Sequence, residues 1–247
     1  MILTQENYYS REANELYFSV SQYKDFAKCE AMAMAKIRGE YERPMTRALL
    51  VGSFVDAYFE GTLPQFTKAN PEIFTRKNEL RSEFRKANEI ISRVTMDEMF
   101  GRFMSGEKQR IMTFELFGVL WKMKMDSYLE GICITDLKVV ANFRNLPLWR
   151  YDLQGAVYQA GVERATGEKL PFYLAAVTKE RVVDLDIFQI PQSTLDVALR
   201  EIEANIERYA EVKSGMTAPK YCGYCDYCKS IKRAKIRNYN ELLGGQA

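Results

Sequence analysis

The apolar positions along the chain follow two rhythms, and the strand rhythm is plainest between residues 111 and 138. Val119-Leu-Trp-Lys-Met-Lys-Met-Asp126 and Ile132-Cys-Ile-Thr-Asp136-Leu-Lys138 read as short strands about a turn at Glu130-Gly131. Ile111–Phe117 precedes them, and Gly118 marks a hairpin. Strand side chains alternate faces, so Ile134, Asp136 and Lys138 point one way while Cys133, Thr135 and Leu137 point the other. Phe172–Thr178 and Val182–Gln189 are two further strand candidates.

Helical spacing fills most of the rest. Ser19-Val-Ser-Gln22 is a capping box that opens a helix over about Val20–Arg38, with Cys29 in its middle and Gly39 as its stop. Thr46–Glu60 carries Leu50, Phe54, Ala57 and Phe59 at apolar spacing, and Gly61 follows its end. A mixed-charge helix is predicted over Glu79–Phe100, and another over Arg150–Ala165 with Leu153, Ala156, Val157 and Ala160 apolar. Gln192–Val212 is a long amphipathic helix ending near Gly215. Residues 1–18, 62–78 (with Pro64 and Pro71) and 139–148 read as irregular. This order predicts an α/β fold, one domain over residues 1–247, with a central mixed sheet flanked by helices.

Composition removes whole classes of chemistry. The 247 residues include no histidine, which excludes Ser-His-Asp and Cys-His catalysis and every His-ligated metal site. The formal net charge of +2 neither demands nor forbids nucleic acid, so any DNA contact must come from local patches. No apolar run approaches the ~20 residues that span a bilayer. The N-terminus lacks the basic and apolar regions of a signal peptide, so the expected location is cytoplasmic, with no membrane partner. Five cysteines in such a chain favour bound metal over disulfides.

The candidate chemistry gathers on the strands. Two carboxylates, Asp126 and Asp136, and the Lys138 ammonium meet at one sheet edge, a set able to hold a divalent metal and position a water against a phosphodiester. The Asp-x-Lys spacing alone is weak, since Glu211-Val-Lys213 repeats it within a helical pattern, where positions i and i+2 do not face each other. Gln154 and Tyr158 lie one turn apart on one face of the helix that follows.

With Asp56, Asp126, Asp136, Lys138, Gln154 and Tyr158 in this order, the chain resembles the PD-(D/E)XK nuclease superfamily. The likeness is nearest to its RecB-like and exonuclease VIII-like phage recombination exonucleases. Tyr17–Glu30, the Glu115-Leu-Phe-Gly-Val-Leu-Trp-Lys122 hairpin, Ala156-Val-Tyr-Gln159 and the C-terminal cysteines extend it over nearly the whole chain. The resemblance implies a restriction-endonuclease-like core and a metal-dependent exodeoxyribonuclease that degrades linear duplex DNA ends through a Mg²⁺-activated water. It implies that Asp126, Asp136 and the Leu137 backbone carbonyl ligate Mg²⁺ or Mn²⁺, and that Lys138 orients or deprotonates the water. Gln154 and Tyr158 would position Lys138 or the scissile strand. A phage-type recombination setting in a bacterial host or prophage follows, with a single-strand annealing protein as partner and a homo-oligomer as a further possibility. Where the family usually shows Gly-x-x-x-His, this chain has Gly52-Ser-Phe-Val-Asp56. Asp56 is thus a third candidate metal ligand, and a catalytically impaired DNA-binding or assembly module is the rival reading. Glu115 is a weaker candidate for the same metal, and Arg144 and Trp149 for its surroundings.

Cys222-x₂-Cys225-x₂-Cys228 is the second constellation, with Cys29 as its candidate fourth ligand. In related iron–sulfur nucleases, one N-terminal and three C-terminal cysteines clasp a 4Fe–4S cluster, and a single-strand-trimming enzyme of that type is a third reading. Zinc is the alternative metal, and unmetallated thiols the third possibility. Cys133, in an alternating strand, reads as a small buried hydrophobe. Tyr221, Tyr224 and Tyr227 interleave with the cysteines and could shield a metal or stack on bases. The basic run Lys229, Lys232, Arg233, Lys235 and Arg237 could contact phosphates.

Overall fold

Of the first eighteen residues, expected to be irregular, the first ten have no regular element and a helix follows. In the computed structural model, which describes residues 1–236 together with 238 and 239, the Ser10 hydroxyl accepts the Ala13 N–H and opens a short helix, α1 (Arg11–Leu16). Arg237 of the basic run lies outside the described residues. The single helix expected over 20–38 is two, α2 (Val20–Lys28) and α3 (Glu30–Ile37). Cys29 divides them, with an extended backbone (φ −167°, ψ 110°). Remote partners hold the break open. The Ala31 N–H donates to the Lys220 carbonyl at 3.1 Å, and Glu30 takes the Arg208 guanidinium and the Lys220 N–H. A free helix start needs such acceptors; here they come from 190 residues away, where no local pattern could announce them.

Helix α4 (Arg47–Phe59) runs as predicted, capped by Thr46 and followed by Gly61 at φ +74°. The segment 62–78 is not all loop. It holds α5 (Leu63–Ala69), with Pro64 in its first turn where the missing N–H costs nothing, and a 3₁₀ turn at Pro71–Ile73. Glu79–Phe100 also divides, into α6 (Ser82–Thr95) and α7 (Glu98–Phe103), because the Asp97 carboxylate accepts the Phe100 N–H and caps a new start.

Strands β1 (Arg110–Leu116) and β2 (Val119–Met125) form an antiparallel pair. Phe117 and Gly118 link them, both at positive φ (53° and 73°), as a two-residue hairpin turn requires. The next residues correct the simple two-strand picture. β2 does not pair with the Asp136 strand; a separate strand, β3 (Ser127–Leu129), pairs antiparallel with β4 (Cys133–Val140). Asp126 is the residue at the joint between the two sheets. The segment predicted as irregular after Lys138 continues β4 to Val140 and then forms a 3₁₀ stretch, Phe143–Trp149. Helix α8 (Tyr151–Thr166) carries the chain across to β5 (Phe172–Thr178), which pairs parallel with β4. Strand β6 (Leu185–Gln189) closes the mixed sheet β3-β4-β5-β6, and α9 (Gln192–Ser214) and α10 (Asp226–Ser230) are the last elements among the described residues.

The sheet separates two apolar layers. Along β5, Leu174 and Ala176 pack with Val157 of α8 and Leu195 and Ile202 of α9. The alternate residues Ala175 and Val177 pack with Phe54 of α4 and Phe84 and Ile90 of α6. This two-sided burial is the expected signature of a strand covered by helices on both faces. Trp121 of β2 is fully buried beside Phe18 and Tyr23, which joins α2 to the hairpin. Gly161 of α8 permits the hairpin to approach: a Cβ there would lie 2.4 Å from the Phe114 ring and 2.9 Å from Met123. Gly161→Ala is therefore expected to destabilise the protein by about 1–3 kcal/mol in urea unfolding. Gly52→Ala in α4 meets nothing within 4 Å and should instead be neutral or stabilise by up to ~1 kcal/mol.

Candidate active site

A cavity of about 440 Å³ opens where α2, α4, β2, β4 and α8 converge. Alternation along β4 sends Asp136 and Lys138 into it, and the Lys138 ammonium contacts Asp136 Oδ2 directly. Asp136 is only 2% exposed. Burial pushes its carboxyl up, Lys138 opposes this, and Asp126 adds to it, so that its pKa stands at about 6. On Asp136 Oδ1 the Gln154 amide donates at 2.6 Å. Gln154 therefore braces the carboxylate rather than Lys138.

Asp126, at the sheet joint, accepts the Gln109 amide on one oxygen (3.1 Å) and the Leu137 N–H on the other (2.9 Å). In an extended strand the N–H and C=O of one residue leave on the same side, so the Leu137 carbonyl faces Asp126 too. Asp56, from α4, lines the same cavity. Protein surrounds it although solvent still reaches it. Burial, then the neighbouring Asp126, raise its carboxyl well above the ordinary aspartate value. The three carboxylates face one space, where each disfavours the charged form of its neighbours. Tyr158 is buried, and its hydroxyl donates to the Lys124 carbonyl at 3.0 Å, which fixes the end of β2.

Four cations outside the predicted set also line the cavity. Lys24 of α2 donates to the Trp149 carbonyl at 2.8 Å and lies over the Tyr151 ring, which the Lys138 ammonium also faces. Burial, then Lys138, bring Lys24 down to about 8. Lys36 pairs with Asp25. Lys122 and Lys124 share the β2 face with Asp126, a relation that strand alternation alone contained. Gln109 was equally unforeseen, and its left-handed backbone (φ 52°) has no sequence signal, since glutamine does not favour it. Trp149 touches the rim through Lys24, whereas Arg144 is exposed and outside the lining. Glu115 is exposed at the far end of β1, five residues (roughly 17 Å) from the Asp126 end of the hairpin, and does not approach the carboxylates.

The cysteines do meet. Cys29, Cys222, Cys225 and Cys228 place their sulfurs all within 4.8 Å of one another. Cys29 and Cys228 are 3.6 Å apart, and Cys222 and Cys228 3.9 Å. The Cys225 N–H donates to Cys222 Sγ and the Cys228 N–H to Cys225 Sγ, which shapes the turn around the sulfurs. Burial raises Cys222, but the N–H groups of Tyr224 and Cys225 outweigh it and bring the thiol to about 6, while burial lifts Cys228 to about 12. Tyr227 packs on Tyr41 beside the cluster, while Tyr221 and Tyr224 are exposed. Cys133 is buried apart from the cluster, beside Thr135.

Comparison with known proteins places the chain in a family. Residues 19–231 match a family model described as "PDDEXK-like domain of unknown function (DUF3799)". A crystal structure from Eubacterium rectale, of a protein named "Putative exonuclease", is 47% identical over 99% of both chains, with a TM-score of 0.95. A second structure, of a protein called SSO0001, covers 83% of this chain and 94% of its own at 15% identity. Its TM-score is 0.34. No curated protein matches the chain. Among the described residues no helix is long and apolar enough to cross a membrane.

The raised carboxyls fix a pH dependence. Asp56 and Asp136 bind their protons more tightly in the fold than in the unfolded chain, where aspartate titrates near 3.8. The native state then holds more protons from about pH 4 to at least about 6, so metal-free stability falls as pH rises through that window. Asp56→Asn should raise the metal-free melting temperature at pH 7 by roughly 2–8 °C, for a gain of about 1–2 kcal/mol. An unchanged or lowered melting temperature would show that Asp56 is not held against its charge.

Proposed function

The chain belongs to the PDDEXK-like family DUF3799, and on that premise we propose that it is a metal-dependent deoxyribonuclease that removes nucleotides from the ends of linear duplex DNA. One observation carries the reading: Asp136 and Lys138 touch on one face of β4, with Asp126 and Asp56 across the same cavity. The donor set fits a hard divalent cation, because it offers carboxylate oxygens and one backbone carbonyl, with no soft ligand within the cavity. Asp126, Asp136, Asp56 and the Leu137 carbonyl would hold Mg²⁺ or Mn²⁺. When bound, the ion supplies charge neutralisation at the phosphate and lowers the pKa of water.

The chain's own groups do the positioning. Gln154 locks the rotamer of Asp136, and Gln109 and the Leu137 N–H lock Asp126. Lys138 offers its N–H donors to the attacking water and to the negative charge that develops on the phosphoryl oxygens. Lys24, held by the Trp149 carbonyl and with no carboxylate partner among the described residues, is free to meet a phosphate from the α2 side. Tyr158 acts through the backbone of β2. Asp56 keeps an oxygen donor where the family commonly has histidine, which favours an active enzyme over the impaired binding module. End-directed action is supported by the name of the Eubacterium rectale relative. The recombination setting, with an annealing protein taking the exposed strand, rests on the resemblance of the motif set alone.

The four thiols are proposed to hold one Zn²⁺ as a structural staple. A Zn–S bond of ~2.3 Å in a regular tetrahedron separates sulfurs by about 3.8 Å, the spacing found for Cys228 with Cys29 and Cys222. A 4Fe–4S cluster spreads its cysteines over four irons, further apart than one ion's coordination sphere. The sulfur spacing therefore favours the single ion over the cluster.

Two measurements test these readings. On end-labelled linear duplex with Mg²⁺ or Mn²⁺, wild type should release label, while Asp136→Ala and Lys138→Ala each lose about 10²-fold or more. Absence of cleavage by wild type on duplex and single strands alike would overturn the enzyme reading. Protein purified without oxygen should be colourless and contain about one zinc per chain, lost in Cys29→Ser. A brown, iron-containing sample would reinstate the cluster.

A further inference from the structure

The cavity has a wall formed by residues that precede the family-model match, which begins at residue 19. Tyr8 and Tyr9 line the cavity, and the segment that carries them is tied down at several points. The Gln5 amide donates to the Gln109 carbonyl at 2.8 Å, and the Tyr17 hydroxyl donates to the Met1 carbonyl at 2.9 Å. Lys122, only 2% exposed, donates to the Tyr8 carbonyl and to Asn14 and lies over the Tyr8 ring. Tyr8 is therefore buried and immobile. Its neighbour Tyr9 is 69% exposed, lines the cavity, and meets the Tyr8 ring edge-on at 4.9 Å.

A cation stands beside this solvent-facing ring. The Lys124 ammonium is 5.0 Å from the Tyr9 ring centroid and 5.7 Å from that of Tyr8. It pairs with no carboxylate among the described residues, and Tyr158 fixes its backbone from below. Lys124, on β2, and Asp126, just past its end, are two residues apart (about 7 Å along an extended chain) and line the same cavity. Lys124 is thus placed for a phosphate next to the one the carboxylates face. A flat apolar surface and a free ammonium side by side match a flat apolar base and its phosphate.

We propose that Tyr9 and Lys124 form a nucleotide subsite one step along the strand from the reacting phosphate, where Tyr9 stacks on an unpaired base and Lys124 pairs with the adjacent phosphate. The occupant is an unpaired nucleotide because a base inside a duplex has both faces covered by its neighbours. The subsite rests on the nuclease reading above and adds a preference: the strand must open at its end before it is cut. Tyr9 touches a base away from the bond that breaks, so it is a positioning residue.

The test uses the full chain carrying Asp136→Asn, which removes cleavage, and fluorescent oligonucleotides bearing a short single-stranded end. Tyr9→Ala should raise Kd about fivefold or more, as loss of one stacked base does, while Tyr9→Phe stays within about twofold of the parent, since a phenyl ring keeps the stacking face. An abasic site at the stacked position should weaken the parent and leave Tyr9→Ala unaffected, a coupling that mere loss of structure cannot produce. Lys124→Gln should reduce the salt slope of binding by about one. Equal losses from the abasic site in the parent and in Tyr9→Ala would overturn the proposal. Wild-type cleavage, run in parallel, separates the two readings. Cleavage by wild type with normal binding by Tyr9→Ala removes the subsite alone, whereas no cleavage by wild type together with no binding by the parent removes both.

Discussion

A carboxylate with 2% exposure is the constraint around which the molecule is arranged. An uncompensated buried charge costs several kcal/mol, and Asp136 meets that cost with Lys138 two residues on and Gln154 on the following helix. Both partners require particular geometry. Lys138 must share the β4 face, which requires an extended strand through Leu137. Gln154 must arrive from above, which fixes how α8 crosses. Arg150 secures that crossing: it adopts a left-handed backbone (φ 52°, ψ 51°) and binds Asp152 and Glu201 together, so that α8 starts directly beside the carboxylates.

The compensation at Asp136 is incomplete, and the remainder has chemical use. Asp56 and Asp126 add two carboxylates to the one that Lys138 contacts, while Lys24 and Lys124 line the same cavity with no carboxylate partner among the described residues. The cavity thus has an acidic floor and a basic rim. An oxygen-seeking cation suits the floor and a polyanion suits the rim, and the two needs are met together by a metal bound to a phosphodiester. Stability is given up locally to keep both halves ready, as is common at sites that must bind charge.

Legibility in the sequence followed the range of the interactions involved. Strand alternation placed Asp136 and Lys138 on one face and the capping residues located α2, α4 and the β1–β2 turn, because those signals act within a few residues. The division of the helix at Cys29 was hidden, since its supports are Lys220 and Arg208 far along the chain. The same holds for the ordered N-terminal segment, whose main anchor is Lys122: a lysine in an alternating strand reads as solvent-facing, and only the carbonyl of Tyr8 and the side chain of Asn14 make its burial tolerable. Glu211 and Lys213, the decoy Asp-x-Lys-like pair, behave as helical spacing requires. Lys213 turns to Tyr17 and Gln22, and Glu211 to Thr217.

The meeting of Cys29 with Cys228 spans 199 residues, and this gives the protein a timetable as well as a shape. Every group assigned to the cavity leaves the ribosome by residue 158, well before the three C-terminal cysteines. At ~5–20 residues per second, Cys29 waits about 10–40 s for its partners. Until then the kink between α2 and α3 lacks its tether, and α2 is the helix that carries Lys24 to the site. A chain cut before residue 222 therefore leaves the helix that carries Lys24 without this tether, while Lys124 keeps its place on β2, so the two cations of the rim are secured at different times.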